Sequence, residues 1–510
     1  MGIVEAFPRG DSRVRALASA RFIASFVATF VSCGVAAQAG TLEDAIRGLI
    51  SQHGFQSKNV AVAVISDRSK LLVAINDRKP FKPASNQKIL TTAAALHLLG
   101  PEHEYETTIS ATAPLRNGRI AGDLIVRSTG DPNISGRFYN RDPTALFKSW
   151  ARRLFERGLR HIEGDLIADD TFFDDERLLP SWDRRQEMAW YSAQVSALNI
   201  NDNCLDVTVR PARKAGRPAS VRFVPACSLI RIAGAPKTVA KGKTKVLVHR
   251  TPGTNRVTVG GQIGVRAAPW TGNITIEDPA LVFVSVLEEA FKEAGIEPGG
   301  RVRKKTRAVK AEPVHRSAPS GNAQAVGAAH TVLVRHTSTL LKDLPIILKR
   351  SQNLHAEVLL KALGVHAVGE GSLRGGRRAL RKFLRKKEIS DEVLVVGDGS
   401  GLSHENRVSA RMLARVLRSV QSESYFGEYL KSLPVAGKDG TLDDRFRRSP
   451  VKEKVFAKTG YIRGVSCLSG YVVKAGRVWS FAVLVNGLKG GARGAKQLQE
   501  KVAERVYRSM

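Results

Sequence analysis

Ser85 and Lys88 stand three residues apart in the stretch PASNQKILTTAAALHLLG, which runs from Pro83 to Gly100. Three residues make close to one helical turn, so both side chains fall on one face. Serine favours helix starts, and a helix N-terminus turns free N–H groups toward any nearby oxyanion. A lysine amine beside a serine hydroxyl can take its proton if burial or a neighbouring cation keeps the amine neutral. That is the chemistry of a serine nucleophile. Alone, the pair reads first as an N-capping serine and a surface lysine.

Two further clusters bear on the choice. Ser351-Gln352-Asn353 lies where one helical pattern ends and the next begins, and Lys458-Thr459-Gly460 ends an apolar strand pattern. A lysine on an edge strand supplies a fixed positive charge, and the adjoining threonine hydroxyl can hold a substrate carboxylate. The glycine lets substrate backbone lie close against the strand. Ser400, in GDGSGLS, lacks the spacing of the G-x-S-x-G nucleophile elbow and reads as a tight turn near the active-site wall. His355 reads as a packing or surface residue, with a second base as the alternative. No CxxC or HExxH occurs, so neither a metal site nor a cofactor is expected.

The elements that must position these residues are also legible. The chain has 510 residues, too many for one ordinary core, and its 43% hydrophobic and 25% charged content excludes a disordered or polytopic membrane protein. Arg13, Arg15 and Arg21 precede the apolar run FIASFVATFVSCGVAA, and Ala37-Gln38-Ala39 follows. This is the form of a secretory signal peptide cleaved near Ala39. The net charge of +33 suits a polyanionic surrounding, and export disfavours nucleic acid as the partner. Cys204 and Cys227 could form a disulfide in an oxidising compartment, while Cys467 reads as a buried thiol within a strand.

Thr41 reads as the N-cap of an amphipathic helix, and VAVAVISD and KLLVAIND as a strand pair. From about Glu104 to Arg335 the texture turns to short alternating strands. Gly122-Asp123-Leu124-Ile125 and Gly164-Asp165-Leu166-Ile167 read there as two similar hairpin strands. PALVFVSVLEEAFKEAGI, from Pro279, is a helix, and the turn-rich segment from Val309 marks a boundary. In LRGGRRALRKFLRKK, Leu380, Phe383 and Leu384 form one apolar face, and arginines and lysines cover the rest. Three strands and a last helix from about Arg493 close the chain. The two ends share a helix-plus-strand texture, so an α/β core built from both, with inserted β-rich domains, is expected.

The order SxxK, SxN, KTG resembles that of the penicillin-interacting serine acyltransferases. More closely, the chain resembles the low-molecular-weight class C penicillin-binding proteins. These are the D-alanyl-D-alanine carboxypeptidase/endopeptidases of the penicillin-binding protein 4 type, peptidase family S13. PASNQKILTTAAAL, GDLIVRSTGDPNIS, IEGDLIADDTFF, SQNLHAEVLLKALG, GDGSGLSHENRVSA, LPVAGKDGTL and AKTGYIRGVSCLSGYV carry the likeness, which covers nearly all of the chain after the leader. The 262 residues between Lys88 and Ser351 are the long interval in which this group carries its extra domains.

The resemblance implies an α/β fold with a β-lactamase/transpeptidase-like core, an antiparallel sheet with helices. It places the signal peptide at 1–39 and the catalytic domain at 40–103 and 336–510. One inserted domain would occupy 104–166 and 271–335, and a second 167–270. It implies Ser85 as acyl-accepting nucleophile, Lys88 as its base, Ser351 as proton relay to the leaving amine and Asn353 as a substrate-backbone contact. Lys458 would supply positive potential and Thr459 would hold the terminal carboxylate beside Gly460. The N–H groups of Ser85 and Tyr461 would form the oxyanion hole. Gln352 stands where many relatives have Asp, and Tyr461 where Ser is frequent. The implied partners are peptidoglycan, β-lactam antibiotics and cell-wall assembly proteins, in the periplasm, with no cofactor. The competing readings are a β-lactamase and a non-catalytic wall-binding scaffold.

Overall fold

Val60–Ile65 has the sequence VAVAVI, and all six side chains are buried. Strand geometry sends alternate residues to opposite faces. Ala61, Ala63 and Ile65 enter one apolar core, and Val60, Val62 and Val64 enter another. A strand with both faces covered must lie inside a sheet, and this one does. In the computed structural model, which describes residues 41–305, 330–390 and 392–510, the sheet order is Val455–Ile462, Val465–Lys474, Arg477–Asn486, Val60–Ile65, Leu71–Ile75. Every neighbouring pair is antiparallel. The leader read at 1–39 and most of the turn-rich segment from Val309 lie outside the described residues.

Both chain ends therefore build one sheet. Helices Leu42–Gln52 and Arg493–Ser509 cover one face, and helix Ala410–Val420 packs on the other over Val60–Ile65 and Arg477–Asn486. The alanines of the central strand give that helix a close seat. Thr41 caps the first helix as expected. Its hydroxyl accepts the Asp44 N–H at 3.1 Å, and the Asp44 carboxylate accepts the Thr41 N–H at 3.0 Å. Helix Gln87–Leu99 is buried on every side from Gln87 to Leu96. It is a central helix, held against Asn353–Val368, Leu373–Lys386 and Ala410–Val420.

Residues between 109 and 334 form an apolar core of their own around Phe147, Trp150, Phe283 and Phe291. Helix Pro279–Glu293 lies where the sequence places it. The strand Thr331–Thr339 pairs with Glu104–Ala111 and so runs across the expected boundary at 335/336. Trp270–Thr275 pairs with Cys204–Arg210, which carries the sheet of the second insertion past residue 270.

The two GDLI segments are not hairpin strands. Leu124–Ser128 and Leu166–Asp169 lie side by side and parallel, Leu124 opposite Leu166 and Ile125 opposite Ile167. Helix Ala145–Glu156 makes the crossover that a parallel pair requires. The repeated Gly-Asp joins them: the Asp165 N–H donates to the Asp123 carboxylate at 2.7 Å. A Cβ at Gly164 would overlap that carboxylate and the Gly122 carbonyl. Cys204 and Cys227 are free thiols, and Cys467 is a buried one.

Candidate active site

Ser85 is not a helix cap. It occupies a single 3-10 turn, Ala84–Asn86, set ahead of helix Gln87–Leu99. Ala84 is left-handed at φ +46°, a conformation that costs a non-glycine residue energy and needs its surroundings to hold it. Two glycines from the far end of the chain provide the seat. A Cβ at Gly401 would overlap the Ala84 carbonyl oxygen, and one at Gly460 would stand 2.8 Å from the Pro83 oxygen and 3.1 Å from the Ser85 nitrogen. Gly460 is thus required by the serine turn itself. Asn86 locks the turn by donating to the Lys458 carbonyl at 2.8 Å.

Lys88 is fully buried. Its Nζ lies 3.2 Å from Ser85 Oγ, 2.7 Å from Asn353 Oδ1 and 2.7 Å from the Ser400 carbonyl oxygen. A neutral amine has two N–H donors and one lone pair. The amide and carbonyl oxygens take the donors, which leaves the lone pair facing the Ser85 hydroxyl. Burial brings the amine down to about 7, against the charges of Asp398 and Glu357, which pull it back up. The arrangement therefore holds a base beside a hydroxyl at neutral pH.

The second and third clusters meet the first. Ser351 sits in the break between helices Leu340–Leu348 and Asn353–Val368 at φ +59°. The Lys458 ammonium position lies 2.9 Å from its Oγ and 2.8 Å from the Thr459 carbonyl. Burial, and then the charge of Lys88, hold Lys458 well below the usual lysine range. The fixed positive charge expected of it is thus opposed by its own surroundings, and an anionic ligand would restore it. Thr459 Oγ1 donates to Thr441 Oγ1 at 2.7 Å. Tyr461 is 61% exposed and its side chain stands at the rim of a cleft of about 680 Å³ that Ser85, Ser351 and Asn353 also line.

Sequence reasoning missed the support beneath these groups. Glu357, fully interior, accepts the N–H groups of Gly399 and Ser400 at 2.8 and 2.7 Å. It thereby aims the Ser400 carbonyl at Lys88, so Ser400 contributes its backbone and not its hydroxyl. Burial, and then the nearby Asp398, push the Glu357 carboxyl well above the usual range. Asp398 accepts from Gly401 N–H, Ser403 N–H, Asn406 Nδ2 and Trp182 Nε1. Glu357 follows Asn353 by four residues on one helix face, a spacing that could have signalled it.

His355 is not a second base. It is buried between two carboxylates, Nδ1 2.5 Å from Asp343 Oδ1 and Nε2 3.0 Å from Asp202 Oδ1. Burial alone would lower it, but Asp343 and Asp202 together raise it to about 9, so it is an imidazolium at neutral pH. Gln352 uses its amide twice, accepting from Asn353 N–H and donating to Asp202 at 2.7 Å. The cleft wall that faces Asn353 comes from the inserted region, where the Tyr191 carbonyl accepts from Asn353 Nδ2 at 2.9 Å. Among the described residues no group of His, Cys, Asp and Glu is placed to hold a metal ion. None of their helices is long and apolar enough to cross a membrane.

Among known proteins, the D-Ala-D-Ala carboxypeptidase 3 (S13) family matches residues 42–507. A D-alanyl-D-alanine carboxypeptidase of Actinomadura sp. (strain R39) is 34% identical over 438 residues, 83% of this chain and 76% of the relative. The D-alanyl-D-alanine carboxypeptidase DacB of Haemophilus influenzae is 25% identical over 452 residues, 86% of each. The crystal structure of penicillin binding protein 4 (dacB) from Haemophilus influenzae covers 91% of this chain and 99% of its own. It aligns with a TM-score of 0.74 at 23% identity, a likeness of fold.

Proposed function

Because the chain belongs to the D-Ala-D-Ala carboxypeptidase 3 (S13) family, we propose that Ser85 is its acyl-accepting nucleophile and Lys88 the base that activates it. The enzyme is a D-alanyl-D-alanine carboxypeptidase, a hydrolase. The observation that carries the residue assignment is the set of three contacts on Lys88 Nζ, which leaves one lone pair for one hydroxyl proton.

In this reading Lys88 takes the Ser85 proton as Oγ attacks the penultimate D-alanine carbonyl. The N–H groups of Ser85 and Tyr461 receive the oxyanion. Ser351, hydrogen-bonded to Lys458, relays to the leaving D-alanine amine the proton that Lys88 took from Ser85, which returns Lys88 to its neutral form as the C–N bond breaks. Thr459 and Lys458 hold the terminal carboxylate, which offsets the desolvation of the Lys458 ammonium. Asn353 steadies Lys88 and the substrate backbone together. Water then hydrolyses the ester at Ser85, with Lys88 again as base. A leaving amine on a second stem peptide instead of free D-alanine makes the same steps an endopeptidase reaction on cross-bridges. A β-lactam would enter at the carbonyl position and stay as a Ser85 ester.

The separate apolar core of residues 109–334 supports an inserted region distinct from a catalytic domain of 40–103 and 336–510. The insertions read at 104–166 with 271–335 and at 167–270 share that core, and the strands Thr331–Thr339 and Trp270–Thr275 shift the junctions at 335/336 and 270/271 by a few residues. The sequence read as a leader at 1–39 supports a periplasmic location for the enzyme, in which case N-terminal sequencing of the exported protein should start at Gly40. The decisive test is intact mass after penicillin, with digestion of purified muropeptides alongside. Wild type should gain one penicilloyl group on Ser85 that persists for minutes, and should release D-alanine. An adduct of the same mass on Ser85→Ala refutes the assignment, and rapid loss of the wild-type adduct favours a β-lactamase.

A further inference from the structure

Helix Leu373–Lys386, with the sequence LRGGRRALRKFLRK, has seven basic residues and no acidic one. Leu373, Gly375, Gly376, Ala379, Leu380, Phe383 and Leu384 are buried, whereas Arg374, Arg377, Arg378, Arg381, Arg385 and Lys386 are exposed. The apolar face is committed to the interior. A Cβ at Gly376 would stand 2.5 Å from Leu360 Cγ, and one at Gly364 would stand 2.8 Å from Gly376 N, so the helix lies nearly in contact with the backbone of Asn353–Val368. It can neither roll nor dip its leucines into a lipid phase. What it offers outward is charge.

Carboxylates among the described residues oppose part of that charge. Glu370 pairs with Arg374 at 3.1 Å and Arg378 at 2.8 Å. Glu423 pairs with Lys387 at the helix end, and Glu388 and Glu392 follow it. Arg377 Nε and Lys382 Nζ are turned to the carbonyls of Val396 and Ala367, which leaves their charge uncancelled. Helix Ala410–Val420 adds the exposed Arg415 and the half-buried Arg418, whereas its Arg411 is paired with Asp77. Arg415 and Arg418 line one hollow with Lys387 and Glu388, so the two helices contribute to one basic face and not to a single line of charge. Arg374 and Arg377 border another hollow, with Asp174, Glu176 and Glu405, that shares Ser181 with the active-site cleft, so the free charge lies toward the Arg385 and Lys386 end of the helix.

We propose that the outer face of helix Leu373–Lys386 docks this enzyme onto an anionic phospholipid bilayer, through phosphate contacts and without insertion. Arginine predominates, and its planar fork fits phosphate oxygens two at a time. The exposed cations from Arg374 to Lys386 extend for about 18 Å along the helix axis at 1.5 Å per residue. The second helix widens that stripe into a face, which suits a flat array of headgroups better than a single polymer strand. Because the attraction is between surface charges, it weakens within a Debye length and with added salt.

Co-sedimentation of the full chain with vesicles tests this. The vesicles are phosphatidylcholine alone or with about 30% phosphatidylglycerol, at about 50 mM salt, with purified sacculi and soluble polyphosphate as further arms. Wild type should bind the phosphatidylglycerol vesicles and not phosphatidylcholine. The triple variant R378E/R385E/K386E should bind them at least about a hundredfold more weakly. K241E/K243E/K245E, with the same change in net charge on exposed residues of the inserted region, should lose far less. All three proteins should react with penicillin at equal rates, which shows that each is folded. Equal losses in the two triple variants would reduce the effect to net charge and overturn the proposal. So would indifference to phosphatidylglycerol, or a loss in R378E/R385E/K386E that falls on sacculi or polyphosphate and spares vesicles.

Discussion

Lowering the pH from about 8 to about 5 should silence Ser85 while the protein stays folded. The Lys88 amine is fully buried and is held at about 7. At that value about nine-tenths of the enzyme carries the neutral base at pH 8 and about one-hundredth at pH 5, so acylation should slow roughly ninetyfold. A lysine left at its ordinary 10.5 would be neutral in only about one molecule in 300 at pH 8, and its rate would climb about tenfold per pH unit to pH 10. The assay is the second-order rate of labelling by a fluorescent penicillin in a single turnover, with circular dichroism at each pH. The expected profile rises to a bend near 7 and flattens. Asp398→Asn removes the largest charge that raises Lys88, so its bend should move to lower pH. A wild-type rate that keeps rising tenfold per unit beyond pH 9, or a bend that moves upward in Asp398→Asn, would refute the assignment of Lys88 as a base kept neutral by burial.

Other perturbations reach different parts of the same assembly. Gly401→Ala should cut penicillin acylation by about a hundredfold or more, because the new Cβ displaces the Ala84 carbonyl and with it Ser85; an unchanged rate would mean that the serine turn tolerates the shift. His355→Gln should lower unfolding free energy in denaturant by about 3–5 kcal/mol, since Asp343 and Asp202 lose their shared buried cation. The His355 imidazole is raised from 6.5 to about 9 on folding. Its stabilisation is therefore full below about pH 6.5 and disappears as the pH rises through about 9, and the gap between wild type and His355→Gln should close over that window. Thr41→Ala should cost about 1 kcal/mol through the lost cap and leave the acylation rate untouched.

The legible parts of this molecule were those in which the chemistry is local. Ser85 with Lys88, Ser351 with Asn353 and Lys458 with Thr459 each announce themselves within a few residues, and the structure brings all six together. The short, largely apolar runs in Val455–Ile462, Val465–Lys474 and Arg477–Asn486 likewise mark strands without help from distant contacts. What was hidden depends on the chain meeting itself. Ser85 reads as a cap until Gly401 and Gly460 press a 3-10 turn into place. His355 reads as ordinary packing because Asp202 and Asp343 reach it from separate elements. The likeness of the two GDLI segments is visible, but period-two patterning carries no direction, so their parallel pairing is not. Glu357 was the one buried support with a local signal, four residues after Asn353.

The order of strands in the catalytic sheet has a consequence for the making of the protein. Val60–Ile65 is among the first strands synthesised, yet its neighbour on one side is Arg477–Asn486, almost the last. The turn that carries Ser85 leans on Gly401 and Gly460, and the base beside it is held by Asn353 and Ser400. A nascent chain that has emerged only as far as its inserted domains contains Ser85 and Lys88 but no seat for either. The reactive pair comes into being only after the chain through Gly460 has been made and has folded back onto it, so the nucleophile is assembled by residues synthesised long after it.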